Sequence, residues 1–468
     1  MRDRARDLCA AGALATALIV GSLLAVSAPA LAATVDIKPG VIKVIAPTTA
    51  PPTPAQCAAI YAARCYQPAQ IQTAYGEQPL FAEGITGAGQ TIVIVDSFGS
   101  PTIQADLATF DQQFGLPAPP SFRIIQPAGA VPPYDPTNSD MVGWAGETTL
   151  DVEWSHTIAP GANILLVETP VSEDEGTSGF PQIVEAENYV IDHHLGGVIS
   201  QSFSAAEDTF PTAQSLLDLR SAYLNADHEG VTVLAASGDS GATDYSNAAA
   251  TLFATHPVTS WPDSDPLVTG VGGTQLLLNP DGDRIVPDRV WNNTYSPAIN
   301  EATFGDAGPN PLAGGGGKSV IFSRPWYQDG VADVVGDQRG VPDISMSGSC
   351  SGLVDTYQSF GGQTPGWYGA CGTSEATPLF AGIVALADQQ AGHSLGLINP
   401  ALYALSAEHA PGLVDITAGN NTVSFTQNNL FYTVPGFTAS PGYDLASGLG
   451  TVDASLFVPE LARAVGAG

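Results

Sequence analysis

The fold is decided by the stretch GGVISQSFSAAEDTFPTAQSLLDLRSAYLNADHEGVTVLAASGDSG, residues 196–241. It begins with an apolar run (196–204), continues into a helical pattern (210–230) and ends in a second apolar run (231–241). Runs that are apolar on both faces are typical of parallel strands covered by helices on each side. The stretch therefore predicts a strand–helix–strand unit of a parallel sheet.

The same alternation extends towards the amino terminus. We expect strands at residues 90–99 and 162–170, and helices at 143–156 and 180–194. Together these units predict an α/β fold with a mostly parallel central sheet and helices on both faces. Ligands of such sheets bind at the carboxyl ends of the strands, so functional residues are expected there.

The first 65 residues lie outside this alternation. Residues 1–32 combine a basic start, an apolar run and the sequence Ala30-Leu31-Ala32, which is the pattern of a cleaved secretory signal peptide. Residues 33–65 are expected to form a proline-rich arm, and residues 66–468 the folded domain. No later stretch is apolar for the roughly 20 residues that a membrane span needs. We therefore expect a secreted, extracellular protein with no membrane attachment after signal removal.

The charge balance is one-sided, with 14 basic against 46 acidic residues and a net charge of −32. Such a chain repels nucleic acid and anionic membranes, so neither is expected as a partner. Charged residues make up only 13% of the chain, about half the usual share. A chain with few cations avoids self-repulsion in acid, where its carboxylates become neutral. Composition fits an acidic habitat and equally a protein kept in solution by negative charge.

Four cysteines remain after signal removal: Cys57, Cys65, Cys350 and Cys371. An even count in a secreted chain indicates two disulfides. Three pairings are possible, and we favour the local ones, Cys57–Cys65 and Cys350–Cys371. No pair has CxxC spacing, so a zinc site is not expected.

One serine lies where a nucleophile would be activated. In ACGTSEATPLFAGIVALADQQAG, residues 370–392, Gly372-Thr373 form a turn and Ser374 follows as an apolar helix begins. The free amides and positive end of a helix favour an alkoxide and the oxyanion that follows its attack. Taken alone, this motif is better explained by an ordinary helix cap at Ser374 or Thr373.

Two carboxylates lie four positions apart in GWAGETTLDVEWSHTIAPG, residues 143–161. On a helix, Glu147 and Asp151 share one face, and adjacent carboxyls hold one proton between them over a wide pH range. A third carboxyl, Asp239, closes a predicted strand. In isolation, a solvated helix face and an Asx turn would explain these residues as well.

Four motifs follow one another along the chain in this order: Glu147-x-x-x-Asp151 before an APGA turn, SGDSG at 237–241, RGVPDIS at 339–345 and GTSEATP at 372–378. Together they resemble the sedolisin family of serine-carboxyl peptidases, which share the subtilisin fold and use glutamate in place of the histidine base. The resemblance covers roughly residues 66–460. It implies a subtilisin-like fold and hydrolysis of protein or peptide substrates by a monomer.

The resemblance also implies a role for each matching residue. Ser374 corresponds to the nucleophile and Glu147 to the general base. Asp151 corresponds to the carboxyl that orients the base and shares its proton, and Asp239 to the protonated donor of the oxyanion hole.

The resemblance further implies one structural calcium ion, held by the segments VDITAGNN (414–421) and SPGYDLASGLGTVD (440–453). Carboxylate and carbonyl oxygens suit a hard cation such as Ca²⁺. The alternative is a pair of tight turns without metal. The matching ligands are the carboxylates of Asp415 and Asp444 and the backbone carbonyls of Ile416, Ser440 and Gly442.

Two further segments correspond to the family's substrate cleft: GGGG at 314–317 and SQSFSAAE at 200–207. The family commonly carries a long amino-terminal prodomain, whereas only about 33 residues separate the signal site from Tyr66. Activation by prodomain removal is therefore not expected here. Either the short arm occupies the cleft, or the enzyme folds unaided.

Two rival hypotheses remain. The first is an ordinary subtilisin-type triad of Asp96, His156 and Ser374, although His156 lacks the glycine neighbours of that motif. The second is a secreted binding protein on an inactive peptidase scaffold. The presence of all four catalytic positions speaks against it.

Overall fold

The computed structural model describes residues 48–466. Its strands are β1 (Arg64–Tyr66), β2 (Thr91–Ser97), β3 (Phe122–Ile125), β4 (Asn163–Thr169), β5 (Val198–Gln201), β6 (Ala205–Ala206), β7 (Thr232–Ala236), β8 (Ser260–Trp261), β9 (Thr269–Gln275), β10 (Arg289–Val290), β11 (Gly317–Ser323), β12 (Gln338–Val341), β13 (Ile344–Ser347), β14 (Gly352–Gln358), β15 (Gly366–Ala370), β16 (Leu413–Val414), β17 (Val423–Gln427), β18 (Leu430–Val434) and β19 (Thr451–Val452).

The α-helices of the same residues are α1 (Pro54–Tyr61), α2 (Pro68–Ala74), α3 (Gln78–Ala82), α4 (Ile103–Phe114), α5 (Ser139–Ile158), α6 (Phe180–Asp192), α7 (Ala213–Leu217), α8 (Ser221–Glu229), α9 (Pro297–Phe304), α10 (Ala332–Val335), α11 (Thr373–Ala391), α12 (Asn399–Ala407) and α13 (Ala454–Gly466). Two 3₁₀ turns lie at Glu207–Thr209 and Trp326–Val331.

An eight-stranded sheet forms the centre of the domain, in the order β10-β9-β7-β5-β2-β4-β3 with β13 also paired to β9. Every pairing in it is parallel except that of β10 with β9. Parallel strands bring their carboxyl ends to one edge of the sheet. The predicted α/β fold with a mostly parallel sheet is confirmed.

Helices cover both faces of this sheet, and the alternation of side chains along β2 shows how. Ile92 and Ile94 belong to the apolar core that contains residues of α5 and α11, whereas Val93 and Val95 belong to the core that contains α6 and α8. All four side chains are fully buried. A strand buried on both faces needs no polar alternation, which explains its continuous apolar sequence.

The predicted elements match with one exception. The expected helix at 210–230 is two shorter helices, α7 and α8, separated by a turn at residues 218–220. At the turn, the Nε and Nη2 atoms of Arg220 donate to the buried carboxylate of Asp265 at 2.5 and 2.8 Å. This tertiary ion pair holds the chain at the break, and helical periodicity alone does not reveal it.

Helices α5 and α11 pack directly against one another. The approach is close at Gly382, where an added Cβ would lie 2.4 Å from the Cβ of Ile158. A glycine is therefore needed at this crossing, because any larger side chain would push the two helices apart. Their contact matters because each helix carries candidate catalytic residues.

Ordered structure begins earlier than Tyr66, the expected start of the folded domain. Helix α1 is opened by a capping box between Thr53 and Gln56, and β1 pairs in parallel with β14. Both expected disulfides, Cys57–Cys65 and Cys350–Cys371, are present, and the first ties α1 to β1. The proposed signal peptide and residues 33–47 lie outside the described residues. Between residues 48 and 466, no helix is long and apolar enough to cross a membrane.

Candidate active site

The carboxyl ends of the central strands carry a group of buried polar residues. Asp96 lies at the end of β2, Ser202 directly after β5, and Asp239 in the turn after β7. Glu147 and Asp151 lie on α5, and Ser374 lies in the first turn of α11; all of these side chains are buried. The sheet and the α5–α11 packing thus bring together residues that are far apart in the sequence.

The turn that presents Ser374 requires a glycine. Gly372 precedes the helix with a φ of +122°, and an added Cβ would lie 2.6 Å from Oδ2 of Asp239. The turn therefore brings the start of α11 directly against the Asp239 carboxyl group. Within residues 48–466, the Oγ of Ser374 has no hydrogen-bond partner. Its hydroxyl is therefore not engaged by another group in this part of the chain.

The two oxygens of Asp239 have different environments. Oδ1 accepts hydrogen bonds from the backbone N–H of Thr373 at 2.7 Å and from its hydroxyl at 2.8 Å. Oδ2 has no partner in the described part of the chain. Burial raises the pKa of this carboxyl group to about 7. At acid pH the group is therefore neutral, and a proton on Oδ2 can be donated to a ligand.

In the part of the chain that the structure describes, Asp151 faces other carboxyl groups and no cation. Burial raises its pKa well above the ordinary value, and the negative charges of Asp96 and Glu147 raise it further. The hydroxyl of Ser202 donates to Oδ1 of Asp151 at 2.7 Å, and its oxygen lies 3.4 Å from the carbonyl oxygen of Ser374. Ser202 therefore links the carboxyls of α5 to the first turn of α11.

Asp96 is a third carboxyl group of this cluster. The structure places its side chain close enough to Asp151 to raise that residue's pKa. Burial raises the pKa of Asp96 itself to about 7. Crowded carboxyls of this kind hold protons that isolated ones would release.

His156 faces away from the serine. Its Nε2 lies 2.7 Å from the carbonyl oxygen of Pro117 and 3.4 Å from Oδ1 of Asp111. Nine positions separate it from Glu147 along α5, which places the two on opposite sides of the helix. Neither ring nitrogen of His156 contacts Ser374 among the described residues. The geometry gives no support to a triad of Asp96, His156 and Ser374.

The glycine run at 314–317 packs against the SGDSG turn. The N–H of Gly315 donates to the carbonyl oxygen of Gly238 at 2.7 Å, and an added Cβ there would lie 1.8 Å from the carbonyl oxygen of Ser237. All four glycines are buried. The run lies beside Asp239, as expected of a cleft element, but here its packing supports the turn. In the second expected cleft segment, β6 (Ala205–Ala206) pairs with β8 of the same chain.

The RGVPDIS motif has a structural role. Arg339 and Asp343 are fully buried, and Nη1 of the arginine donates to Oδ1 of the aspartate at 2.6 Å. The same carboxylate accepts hydrogen bonds from the N–H of Gly270 and the hydroxyl of Tyr403, both at 2.8 Å. Since Gly270 belongs to β9, this ion pair ties the motif to the central sheet.

The two segments expected to bind calcium meet in space. The N–H of Gly442 donates to Oδ2 of Asp415 at 2.9 Å, and β16 pairs with β19. Among the described residues, the carbonyl oxygens of Ile416, Ser440 and Gly442 accept no hydrogen bond. Two carboxylates and unused carbonyl oxygens are the donors that a calcium ion takes, so the residues fit the ion. No cluster of three or more Asp, Glu, His or Cys side chains suited to a metal occurs in residues 48–466.

Sequence reasoning missed two residues of this site. It named Ser202 only within a segment for substrate backbone, and it named Thr373 only as part of a turn. Their polar contacts reach residues 51 and 134 positions away along the chain. The only sequence signal was their position at the end of a strand and at the start of a helix.

The fold is that of a subtilisin-like α/β protein. Its candidate site has carboxyl groups beside the serine in place of the histidine of an ordinary subtilisin triad. Residues 139–429 match the model of the subtilase family. Kumamolisin of Bacillus sp. (strain MN-32) is 31% identical over 82% of this chain, and sedolisin of Pseudomonas sp. (strain 101) is 28% identical over 84%. The chain belongs to the subtilase family and, within it, to the sedolisins.

The chain is also similar to a solved structure, and it spans only part of the length of its relatives. The structure of Pseudomonas sedolisin, described as a serine-carboxyl proteinase, matches with a TM-score of 0.66 at 24% identity, over 85% of this chain and 97% of that one. This likeness concerns the fold. The chain spans 62% of the length of kumamolisin and 60% of the length of the Pseudomonas relative.

Proposed function

We propose that this protein is a serine-carboxyl peptidase that hydrolyses peptide bonds in acid through an acyl-enzyme at Ser374. The observation that carries the proposal is the arrangement at the start of α11. Asp239 is held through one oxygen by Thr373, while its other oxygen and the hydroxyl of the adjacent Ser374 are left for a substrate. A nucleophile beside an oxyanion donor is the minimal apparatus for acyl transfer.

In the first step, the Oγ of Ser374 attacks the peptide carbonyl carbon and its proton passes to the carboxylate of Glu147. The carbonyl oxygen becomes an oxyanion, which accepts a hydrogen bond from protonated Asp239. Glu147 then gives its proton to the leaving amine, the carbon–nitrogen bond breaks, and the acyl-enzyme forms. Water attacks this ester with Glu147 again as the base, which releases the acid and restores the serine.

Asp151 supports Glu147 in its role as the general base. Because its own pKa is raised well above the ordinary value, it carries a proton through the acid range and can share it with Glu147. Ser202, bound to Oδ1 of Asp151, fixes the orientation of that carboxyl group relative to the first turn of α11. We assign Ser202 a positioning role.

We further propose that one calcium ion stabilises the carboxyl-terminal segments, held by the carboxylates of Asp415 and Asp444 and the carbonyls of Ile416, Ser440 and Gly442. The ion takes no part in the reaction. Secretion as a monomer and cleavage of extended peptides complete the proposal. Two disulfides support an oxidising compartment.

The test is hydrolysis of a denatured protein at pH 4 by the wild-type chain and by Ser374→Ala, with Ser406→Ala on α12 as the matched control. Loss of a nucleophile of this kind costs about 10⁴-fold or more in kcat. We expect that loss for Ser374→Ala, wild-type rates for Ser406→Ala, and a covalent acyl adduct on Ser374 by mass spectrometry.

Two results would refute the proposal. A folded wild-type protein that cleaves nothing between pH 3 and 8 would favour an inactive binding scaffold. Turnover that survives Glu147→Ala but is abolished by His156→Ala would favour an imidazole base.

A further inference from the structure

A cavity of about 560 Å³ lies where β10 and the segment after it face residues 419–422, and none of Glu147, Asp151, Asp239 and Ser374 is among its lining residues. Its volume is in the range that binds small ligands. No aspartate or glutamate lines it, although the chain has 46 acidic residues. The side chains that matter here are those of Gln275, Arg289, Asn292, Tyr295 and Asn420.

Arg289 is the cation of this cavity. Within residues 48–466, its guanidinium makes no hydrogen bond and lies within 4.0 Å of no carboxylate, and the residue is exposed. With 14 basic against 46 acidic residues, carboxylate partners are abundant. Five other arginines each pair with one or more of them: Arg220, Arg284, Arg324, Arg339 and Arg463.

Two side-chain amides add donors beside this guanidinium. Gln275 is the direct cross-strand neighbour of Arg289 in the β9–β10 pair, which places the two side chains on the same face. In the described residues, the amide of Gln275 has no hydrogen-bond partner. The Oδ1 of Asn420 accepts from the N–H of Thr422 at 3.0 Å, which leaves the Nδ2 donor unused.

The wall beside these donors is rigid. Nδ2 of Asn292 donates to the carbonyl oxygens of Asn420 at 2.9 Å and of Thr422 at 2.7 Å, and this joins the two sides of the cavity. The hydroxyl of Tyr295 donates to Oγ of Ser424 at 2.7 Å, while its ring is 65% exposed. The cavity thus offers one cation, free amide donors and an aromatic surface in a fixed frame.

We propose that this cavity binds the carboxylate group of a small ligand. A guanidinium takes a carboxylate through two parallel hydrogen bonds, and amide donors can complete its coordination. The ring of Tyr295 would cover the apolar part of the same ligand. A free dicarboxylic acid and the carboxyl terminus of a short peptide present the same group, so both are candidate sources.

The test measures binding by the Ser374→Ala protein at pH 6, which keeps any peptide intact. Three probes are titrated by calorimetry: succinate, an N-acetylated tripeptide with a free carboxyl terminus, and the same tripeptide as its carboxyl-terminal amide. We expect saturable binding of at least one carboxylate probe and at least tenfold weaker binding of the amide. Lowering the pH to 3 should also weaken binding, because carboxyl groups take up protons near pH 4.

Arg289→Gln, made in the same background, should weaken carboxylate binding at least tenfold. The matched control is Arg123→Gln, which removes another arginine without a carboxylate partner, on β3 at the other edge of the sheet. It should bind like its parent. If only the tripeptide binds, the source is a peptide terminus, and if succinate binds, a free acid suffices.

Three results would overturn the assignment: no saturable binding up to about 10 mM, equal binding by Arg289→Gln, or equal binding of acid and amide. Peptide could also occupy the catalytic cleft, but that binding would be insensitive to Arg289→Gln. Because the readout is binding, its outcome is independent of whether the protein is a peptidase.

Discussion

Two sets of buried carboxyl groups in this protein differ in what faces them. Asp343 is paired with the equally buried Arg339, and its oxygens also accept hydrogen bonds from Gly270 and Tyr403. At the carboxyl ends of the strands, Asp151 and Asp239 face no cation among residues 48–466, and burial raises the pKa of each. Both sets lie in motifs that identify the family.

The presence or absence of a facing cation distinguishes a structural role of a buried carboxyl group from a chemical one. A buried carboxylate with a fixed counterion remains charged and ties elements together, so it has no proton to offer. A buried carboxyl without a counterion keeps its proton and can donate it. Asp151 and Asp239 have this second environment, and the following changes test the contrast.

The largest effect on stability is expected for Asp343→Asn. It keeps the shape of the side chain but removes the carboxylate that is hydrogen-bonded to the buried guanidinium of Arg339, at a cost of about 3–5 kcal/mol in the free energy of unfolding. Urea unfolding at pH 5 measures it. The control is Glu460→Gln, whose partner Arg463 is exposed and for which a change below about 1 kcal/mol is expected. Equal effects of the two variants would contradict the contrast.

At acid pH, where the carboxyl group of the wild type is neutral in the folded and unfolded states, Asp239→Asn should affect activity and not stability. An amide donates without needing a proton, but it is a poorer donor than the acid, so kcat/KM at the optimum should fall by up to about 10²–10³. The wild-type rate should decline as pH rises through the pKa of Asp239, near 7, and this alkaline limb should flatten in the variant. Rates between pH 3 and 9 measure it, with the exposed Asp218→Asn as control. An unchanged alkaline limb would show that another group sets it.

A smaller effect is expected from a proton held by a buried carboxyl group outside the candidate site. Burial raises the pKa of Glu187 on α6 from its ordinary 4.5 to about 8, and Gln201 donates to its Oε1. The folded state therefore binds the extra proton, and stability is lost as pH rises from about 4.5 to 8. Glu187→Gln removes this loss and should recover about 1–3 kcal/mol at pH 7 but little at pH 4.

Thermal unfolding of wild type and Glu187→Gln at pH 4, 5.5 and 7 measures this effect. The two melting curves should diverge only as pH rises. A constant difference across this range would mean that the substitution acts through packing and not through the proton.

The smallest effect is expected at Asp415 and Asp444, for which the proposed counterion is a metal ion. If calcium joins Asp415 and Asp444, ion at ten times its dissociation constant adds about 1.4 kcal/mol, which EDTA should remove. The measurement is the Tm with calcium and with EDTA. It is made at pH 7 because Asp444 must be ionised to bind the ion, and burial raises the pKa of this group. Asp415→Asn should make the Tm insensitive to EDTA. An unchanged wild-type Tm in protein shown to be metal-free would rule the ion out.

Much of the architecture follows from local pattern. Apolar runs such as β2 and β5 are buried on both faces, so their sequences reveal a parallel sheet without any tertiary knowledge. The four ordered motifs identified the family, and both local disulfides were inferred from cysteine spacing and compartment. The roles of Glu147, Asp151, Asp239 and Ser374 remain proposals from the resemblance.

Other features depend on contacts between distant segments. The split of the helix at 210–230 accompanies the pairing of Arg220 with Asp265, and Ser202 gains its importance only where β5 meets α5. Whether a carboxyl is charged or neutral likewise depends on which side chains surround it after folding. Sequence spacing determined which helices and strands form, because periodicity is a local property of the chain. Only the tertiary structure decided which buried groups meet, because desolvation and electrostatic interactions act through space.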